Sequence, residues 1–203
     1  MDCIGILYQS QIEQATALAK TIEEHISGLG KQVWSRSSWQ DDLNQKDLPE
    51  TQLIISVGGD GTLLRVTRET AAWDVPILGI NAGSLGFLTE LDGSKALEHL
   101  NEIIDGKGWI EQRSMLEASV DGSNWHAMNE VTISRGGAAR TIQISVDVDD
   151  TRMFAFSGDG LLVATATGST AYNLAAGGPV LPPTSPYSII KACLLYTSDA
   201  ADE

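Results

Sequence analysis

The chain has 203 residues, 42% of them hydrophobic and 20% charged, which is the balance of a globular protein with one large domain or two small ones. Against 13 Lys plus Arg stand 27 Asp plus Glu, and the formal net charge of −14 repels nucleic acid and anionic membrane. An anionic ligand would therefore need local attraction from backbone amides, a metal or a few arginines, and no apolar stretch approaches the roughly 20 residues of a membrane helix.

The N-terminus, Met1 to Leu7, lacks a basic n-region and runs straight into a strand-like segment, Cys3–Tyr8. This predicts no secretory signal and a cytoplasmic protein. Cys3 and Cys193 lie at opposite ends, so neither a disulfide framework nor a zinc cluster is expected. Ile12, Ala15, Ala19, Ile22, Ile26 and Leu29 follow at three- and four-residue spacing, the stripe of an amphipathic helix, with Gly28 and Gly30 placed to end it. Gln32–Ser35 predicts a second strand, and the polar run from Ser37 to Glu50, with Pro49, a surface loop. Leu53–Val57 is a compact buried strand, Thr62–Ala72 a helix and Pro76–Ile80 another strand. Ser94–Ile104 is a helix, with Ser94 as N-cap and Gly106 as C-cap. This βαβα succession predicts an α/β domain with a parallel sheet.

Beyond a boundary near Gly106–Glu111 the period changes. Ile142, Ile144, Val146 and Val148 alternate with polar residues, which reads as a half-buried strand. Asp149-Asp150 makes a turn and Thr151–Phe156 a returning strand. Met115–Val120, Val131–Ser134 and Leu161–Thr165 are further strand candidates, so the second half is a β-rich domain expected to pack closely on the first. The predicted domains are 1–108, 109–192 and a tail, 193–203. That tail, CLLYTSDAADE, coincides with one translated frame of a common sequencing adapter and reads as non-native, the alternative being a frayed polar end.

The chemistry concentrates in a few segments. Gly58-Gly59-Asp60-Gly61-Thr62 lies between a buried strand and a helix, where glycines let the backbone approach a phosphate and the helix amides attract it. Asp60 would meet a hydroxyl brought to that phosphate; the alternative is a tight turn with a solvated carboxylate. The P-loop pattern GxxxxGK[ST] is absent. Arg65, one turn into the helix, reads equally as a phosphate contact or a solvated surface residue. Asn129-Glu130 offers a donor and several acceptors, suited to a pair of ribose hydroxyls or to capping a strand end. Thr170, Ala171 and Tyr172 provide a hydroxyl, a small wall and an aromatic face, suited to a base or to plain packing. Ala82–Gly86 nearly spells GxSxG, but the first glycine is alanine and no partner histidine is placed for it. His25, His99 and His126 are scattered, no ligand set has metal spacing, and the five tryptophans do not interleave with basic residues.

GGDGT is shared by NAD kinases, lipid kinases of the diacylglycerol type and, with serine for threonine, phosphofructokinases. Three further segments separate these relatives. Asn81–Leu88 resembles the NxGxxGFL segment of NAD kinases, Asn129-Glu130 their Asn-Glu pair, and Gly158-Asp159-Gly160 with Thr167–Tyr172 and Gly177-Gly178-Pro179 their C-terminal block. The resemblance spans roughly residues 3 to 182, in the family's order. It implies an NAD kinase/diacylglycerol kinase-like α/β domain followed by a β-rich C-terminal domain, incomplete here because family members continue with further strands. It also implies transfer of the γ-phosphate of ATP, with Mg²⁺ or another divalent cation, to the 2′-hydroxyl of the adenosine ribose of NAD.

On this reading Asp60 would be catalytic, and Gly58, Gly59, Gly61, Thr62 and, from its place on the helix, Arg65 would contact phosphate. Asp60, Gly61, Phe87, Asn129, Glu130, Arg140, Asp159, Thr170, Ala171, Tyr172 and Ala175 would meet NAD, and the intact protein would be a homo-oligomer, dimer or tetramer. Two departures stand out. Ala166 replaces a family proline, which relaxes the backbone, and Ala175 replaces a common serine, which removes one hydrogen bond to ligand. A lipid kinase with the same GGDGT loop, or an inactive fragment, is the alternative.

Overall fold

A computed structural model describes residues 1–39, 50–83, 86–136 and 141–195. They form two compact units, Met1–Ile110 and Glu111–Glu203. The first is α/β with a parallel sheet and the second is antiparallel and β-rich.

In the first unit, strands β1 (Cys3–Tyr8), β2 (Gln32–Ser37), β3 (Leu53–Gly58), β4 (Ile77–Asn81) and β5 (Leu91–Asp92) pair in the order β2-β1-β3-β4-β5, all parallel. The central strands are apolar at nearly every position because both faces are covered, which is why they read as runs rather than alternations. Ile4, Ile6, Ile55, Val57 and Ile80 pack on one face against helices α1 (Glu13–Gly28) and α3 (Ala96–Ile104). On the other, Leu7 and Ile54 pack with Val66 of α2 (Asp60–Thr70).

Helix α1 buries Ala15, Ala19, Ile22 and Ile26, the centre of the stripe seen in the sequence. Its two ends differ from expectation: Ile12 and Leu29 fall at the cap positions and are 41% and 44% exposed. Gly30, at φ +74, supplies the left-handed residue that closes the helix. The helix expected from Thr62 to Ala72 instead begins at Asp60 and ends at Thr70, with one 3-10 turn, Ala71–Trp73, behind it. Ser94 is not the N-cap of α3: its amide and hydroxyl both donate to Asp92 Oδ1 (2.8 and 2.5 Å), and Lys95 takes the cap position. An acceptor two residues back captured Ser94 in a local turn, the usual competitor of a cap. Gly106, at φ +77, does end α3, its amide donating to Ile103.

In the second unit β6 (Leu116–Val120) and β7 (Ser123–Ala127) make a hairpin, and β8 (Glu130–Ser134), β9 (Ile142–Val148), β10 (Thr151–Ala164) and β11 (Ile189–Leu195) an antiparallel sheet. The expected alternation in β9 holds from Ile142 to Val146, the one buried residue, and fails at Val148, which is 40% exposed beside the turn. Asp149 and Asp150 have φ of 48° and 61°, the two-residue hairpin turn whose twist matches the strands. Strand β7 had no counterpart in the sequence reading; the signal for it was Asp121-Gly122, both at positive φ in the same kind of turn. The two strands expected at Thr151–Phe156 and Leu161–Thr165 are one, because β10 runs unbroken through Gly158-Asp159-Gly160. Its first half pairs with β9 and its second with β8 and β11. Gly160 is needed there, since a Cβ would stand 2.2 Å from the Ile133 carbonyl oxygen. β11 continues through Leu195, into the segment expected to be non-native.

Candidate functional site

Strand order in the first unit reverses between β1 and β3, since β2 lies outside β1 and β4 outside β3. In open α/β sheets, ligands bind beyond the carboxyl ends of the strands at such a reversal. The GGDG loop is there, directly behind Gly58 at the end of β3, and the Gln9 amide at the end of β1 donates to Val57 (3.0 Å).

Gly58 packs against the start of α2 so closely that a Cβ would lie 2.3 Å from Thr62 Oγ1. Thr62 is buried and closes the turn, its amide donating to the Gly59 carbonyl (2.9 Å). Gly59 and Gly61 differ in kind. A Cβ at either meets nothing within 4 Å, so neither backbone conformation nor packing asks for glycine. What their missing side chains leave is open space over the first turn of α2, where the helix presents the positive end of its dipole.

Asp60, the first residue of α2, turns its carboxylate to a second segment. Its Oδ2 accepts from the Phe87 amide (2.7 Å) and its Oδ1 from the Leu88 amide (3.0 Å). Both oxygens keep lone pairs for a further donor. Phe87 itself is 98% exposed. Asn81, at the end of β4, braces the start of this segment, donating to Thr89 Oγ1 (3.2 Å) and accepting from the Gly83 amide (2.8 Å). Arg65 reaches elsewhere: its Nε donates to the Ser38 carbonyl and its guanidinium lies 4.7 Å from the centre of the Trp39 ring.

The second unit gathers Asn129-Glu130 and the Thr165–Tyr172 segment. Thr165 is the link. Its hydroxyl donates to the Met128 carbonyl (2.5 Å) and accepts from the Gly168 amide (3.0 Å), while its own amide donates to Asn129 (2.9 Å). At Gly168 a Cβ would stand 2.0 Å from the Asn129 carbonyl oxygen, so only glycine permits this approach. Ser169 and Asn173, both fully buried, tie the following turn to the Pro179–Leu181 segment. Thr170, Tyr172 and Ala175 are left exposed and Ala171 half-buried.

Glu130 opens β8 with Oε2 buried and without a hydrogen-bond partner, and burial pushes its pKa up. An orphaned acceptor of this kind fits a ligand donor. Asp159, on β10, stands 3.1 Å from Nε of Arg135, near enough for an ion pair but without hydrogen-bond alignment. Sequence reasoning missed Arg135 and Thr165, whose partners Asp159 and Met128 are distant in the chain, while Ser169 and Asn173 lay inside matched segments without a role of their own. Arg140 lies outside the described residues, as do Ser84 and Leu85 of the NxGxxGFL segment.

Comparison with known proteins decides the family. The ATP-NAD kinase N-terminal domain matches residues 3–108 and the ATP-NAD kinase C-terminal domain residues 128–198. The chain belongs to the ATP-NAD kinase family. Among this family's members, the NAD kinase of Dehalococcoides mccartyi (strain BAV1) is 40% identical over 197 residues, covering 94% of this chain and 69% of its own length. The NAD kinase of Yersinia pestis is 38% identical over 197 residues, with 90% and 67% covered. Yeast NADH kinase complexed with NADH has the same fold at a TM-score of 0.82 and 22% identity, and the chain covers 64% of it. An NAD kinase from Archaeoglobus fulgidus in complex with ATP superposes at 0.75 with 25% identity, 74% of that chain covered. The chain thus spans about two thirds of the length of these NAD kinases.

Proposed function

We propose that this kinase transfers the γ-phosphate of ATP to the 2′-hydroxyl of the adenosine ribose of NAD, forming NADP. The observation that carries the reading is the Asp60 carboxylate, fixed by two backbone amides in a glycine loop at the reversal of strand order.

Phosphoryl transfer asks the protein for position and charge compensation rather than covalent chemistry. Amides of Gly58 to Thr62 would hold the phosphates over the open glycines. Asp60 would accept the 2′-hydroxyl proton while that oxygen attacks the γ-phosphorus and the bond to the bridging oxygen of ADP breaks. Glu130 and Asn129 would take ribose hydroxyls, the orphaned Oε2 of Glu130 receiving the first donor. Phe87, Asp159, Arg140, Thr170, Ala171, Tyr172 and Ala175 would line the rest of the NAD site. Arg65, bonded to Ser38, would support the loop from behind unless a bound phosphate draws it over.

Among the described residues no group of three or more His, Cys, Asp or Glu is arranged to hold a metal. A divalent cation such as Mg²⁺ would enter as the companion of the triphosphate, which with water would supply most of its oxygen ligands. When bound it would neutralise charge on the phosphates. No helix among the described residues is long and apolar enough to cross a membrane. A cytoplasmic location and a dimeric or tetrameric intact protein belong to the same proposal.

The test is NADP formation from ATP, Mg²⁺ and NAD by the purified chain and by a copy extended with the C-terminal third of a relative. Asp60→Asn should lower turnover by about 10²–10⁴-fold, the usual contribution of a positioned base. Near-normal turnover in that variant would remove the base assignment. Two well-folded proteins that form no NADP would overturn the function.

A further inference from the structure

We propose that Gly86 is a positioning residue that holds the Asp60 carboxylate in place. Its part in catalysis rests on the function proposed above; its grip on Asp60 does not.

The three atoms that a side chain at residue 86 would meet first all belong to Asp60. A Cβ on residue 86 would stand 2.2 Å from Oδ1, 2.6 Å from Cγ and 2.7 Å from Oδ2. Ordinary contact begins near 3.4 Å, so the carboxylate would have to retreat by about 1 Å. Asp60 has little freedom to do so, being short, rooted in the first turn of α2 and bonded through both oxygens to the next two amides. Gly86, Phe87 and Leu88 therefore form one cradle. The missing side chain admits the carboxylate, and the two following amides orient it. Moving the carboxylate breaks the amide bonds, and a base displaced by about 1 Å loses on the order of a hundredfold in rate.

The experiment uses the whole chain as Gly86→Ala, Asp60→Ala and the double variant. Hydrogen exchange at the Phe87 and Leu88 amides, thermal melting and NADP kinetics are measured on each. Gly86→Ala should speed exchange at both amides by about tenfold or more and lower the melting temperature. In the Asp60→Ala background the same substitution should have a markedly smaller effect on both. In steady state kcat should fall about 100-fold while KM for ATP and for NAD moves by no more than about threefold, a split that general loosening would not produce. Unchanged exchange in Gly86→Ala, an equal melting loss in both backgrounds, or an unchanged kcat would each overturn the proposal. Should Gly86→Ala alone fail to fold, recovery of folding on adding Asp60→Ala supports it and failure to recover refutes it. A parent chain that forms no NADP counts against the functional reading only, and exchange and melting still decide whether Gly86 holds Asp60.

Discussion

Replacing Thr165 by valine keeps the shape of a residue that is 1% exposed and removes one hydroxyl. That hydroxyl makes two bonds, to the Met128 carbonyl and from the Gly168 amide. Each partner left unsatisfied in a buried place costs about 1–3 kcal/mol, so Thr165→Val should destabilise by about 2–6 kcal/mol. Thr165→Ser keeps both bonds and loses a methyl, at about 1 kcal/mol. For a chain of this size the valine variant should melt roughly 4–24 °C below the parent and the serine variant roughly 2–4 °C below. Calorimetry or circular dichroism reads the difference. On the proposed function, KM for NAD should also rise more than KM for ATP, because Thr165 sets the Asn129-Glu130 pair against the turn that leads to Tyr172. A serine variant as damaged as the valine variant, or worse, would refute the reasoning, since packing rather than the two bonds would then hold the segment.

Two further predictions concern stability. Ile22→Ala, in the middle of the buried face of α1, should cost about 2–5 kcal/mol, whereas Ile12→Ala at the exposed cap should stay within about 0.5 kcal/mol; urea unfolding of both variants checks the pair. For Glu130 the sign follows from its raised pKa: the folded carboxyl binds its proton more tightly than the unfolded one, so its contribution to stability is lost as pH rises. The melting temperature of Glu130→Gln relative to the parent should therefore climb with pH, starting near the ordinary glutamate value of 4.5 and levelling off above the raised folded value. A difference that does not vary with pH would show that Glu130 is not desolvated.

Periodicity and composition alone placed β1, α1, β3, β4 and the alternation of β9 as far as Val146, because each is a local pattern enforced by one buried face or two. The GGDG loop was legible for the same reason: three glycines, a carboxylate and flanking elements stand within a few residues. Caps and strand ends were less so. Ser94 lost its cap to Asp92, and β10 ran through a Gly-Asp-Gly that looks like an interruption, since pairing with β8, β9 and β11 on its flanks outweighs the glycines. Only the tertiary structure brought Asp60 to the amides of Phe87 and Leu88, 27 and 28 residues away, or Thr165 to Met128, 37 residues away. Contacts at that separation are set by which strands lie side by side, and no local pattern records it. The sequence by itself determined which chemical groups this kinase carries and the elements that bear them; the order of the strands decided which of those groups meet.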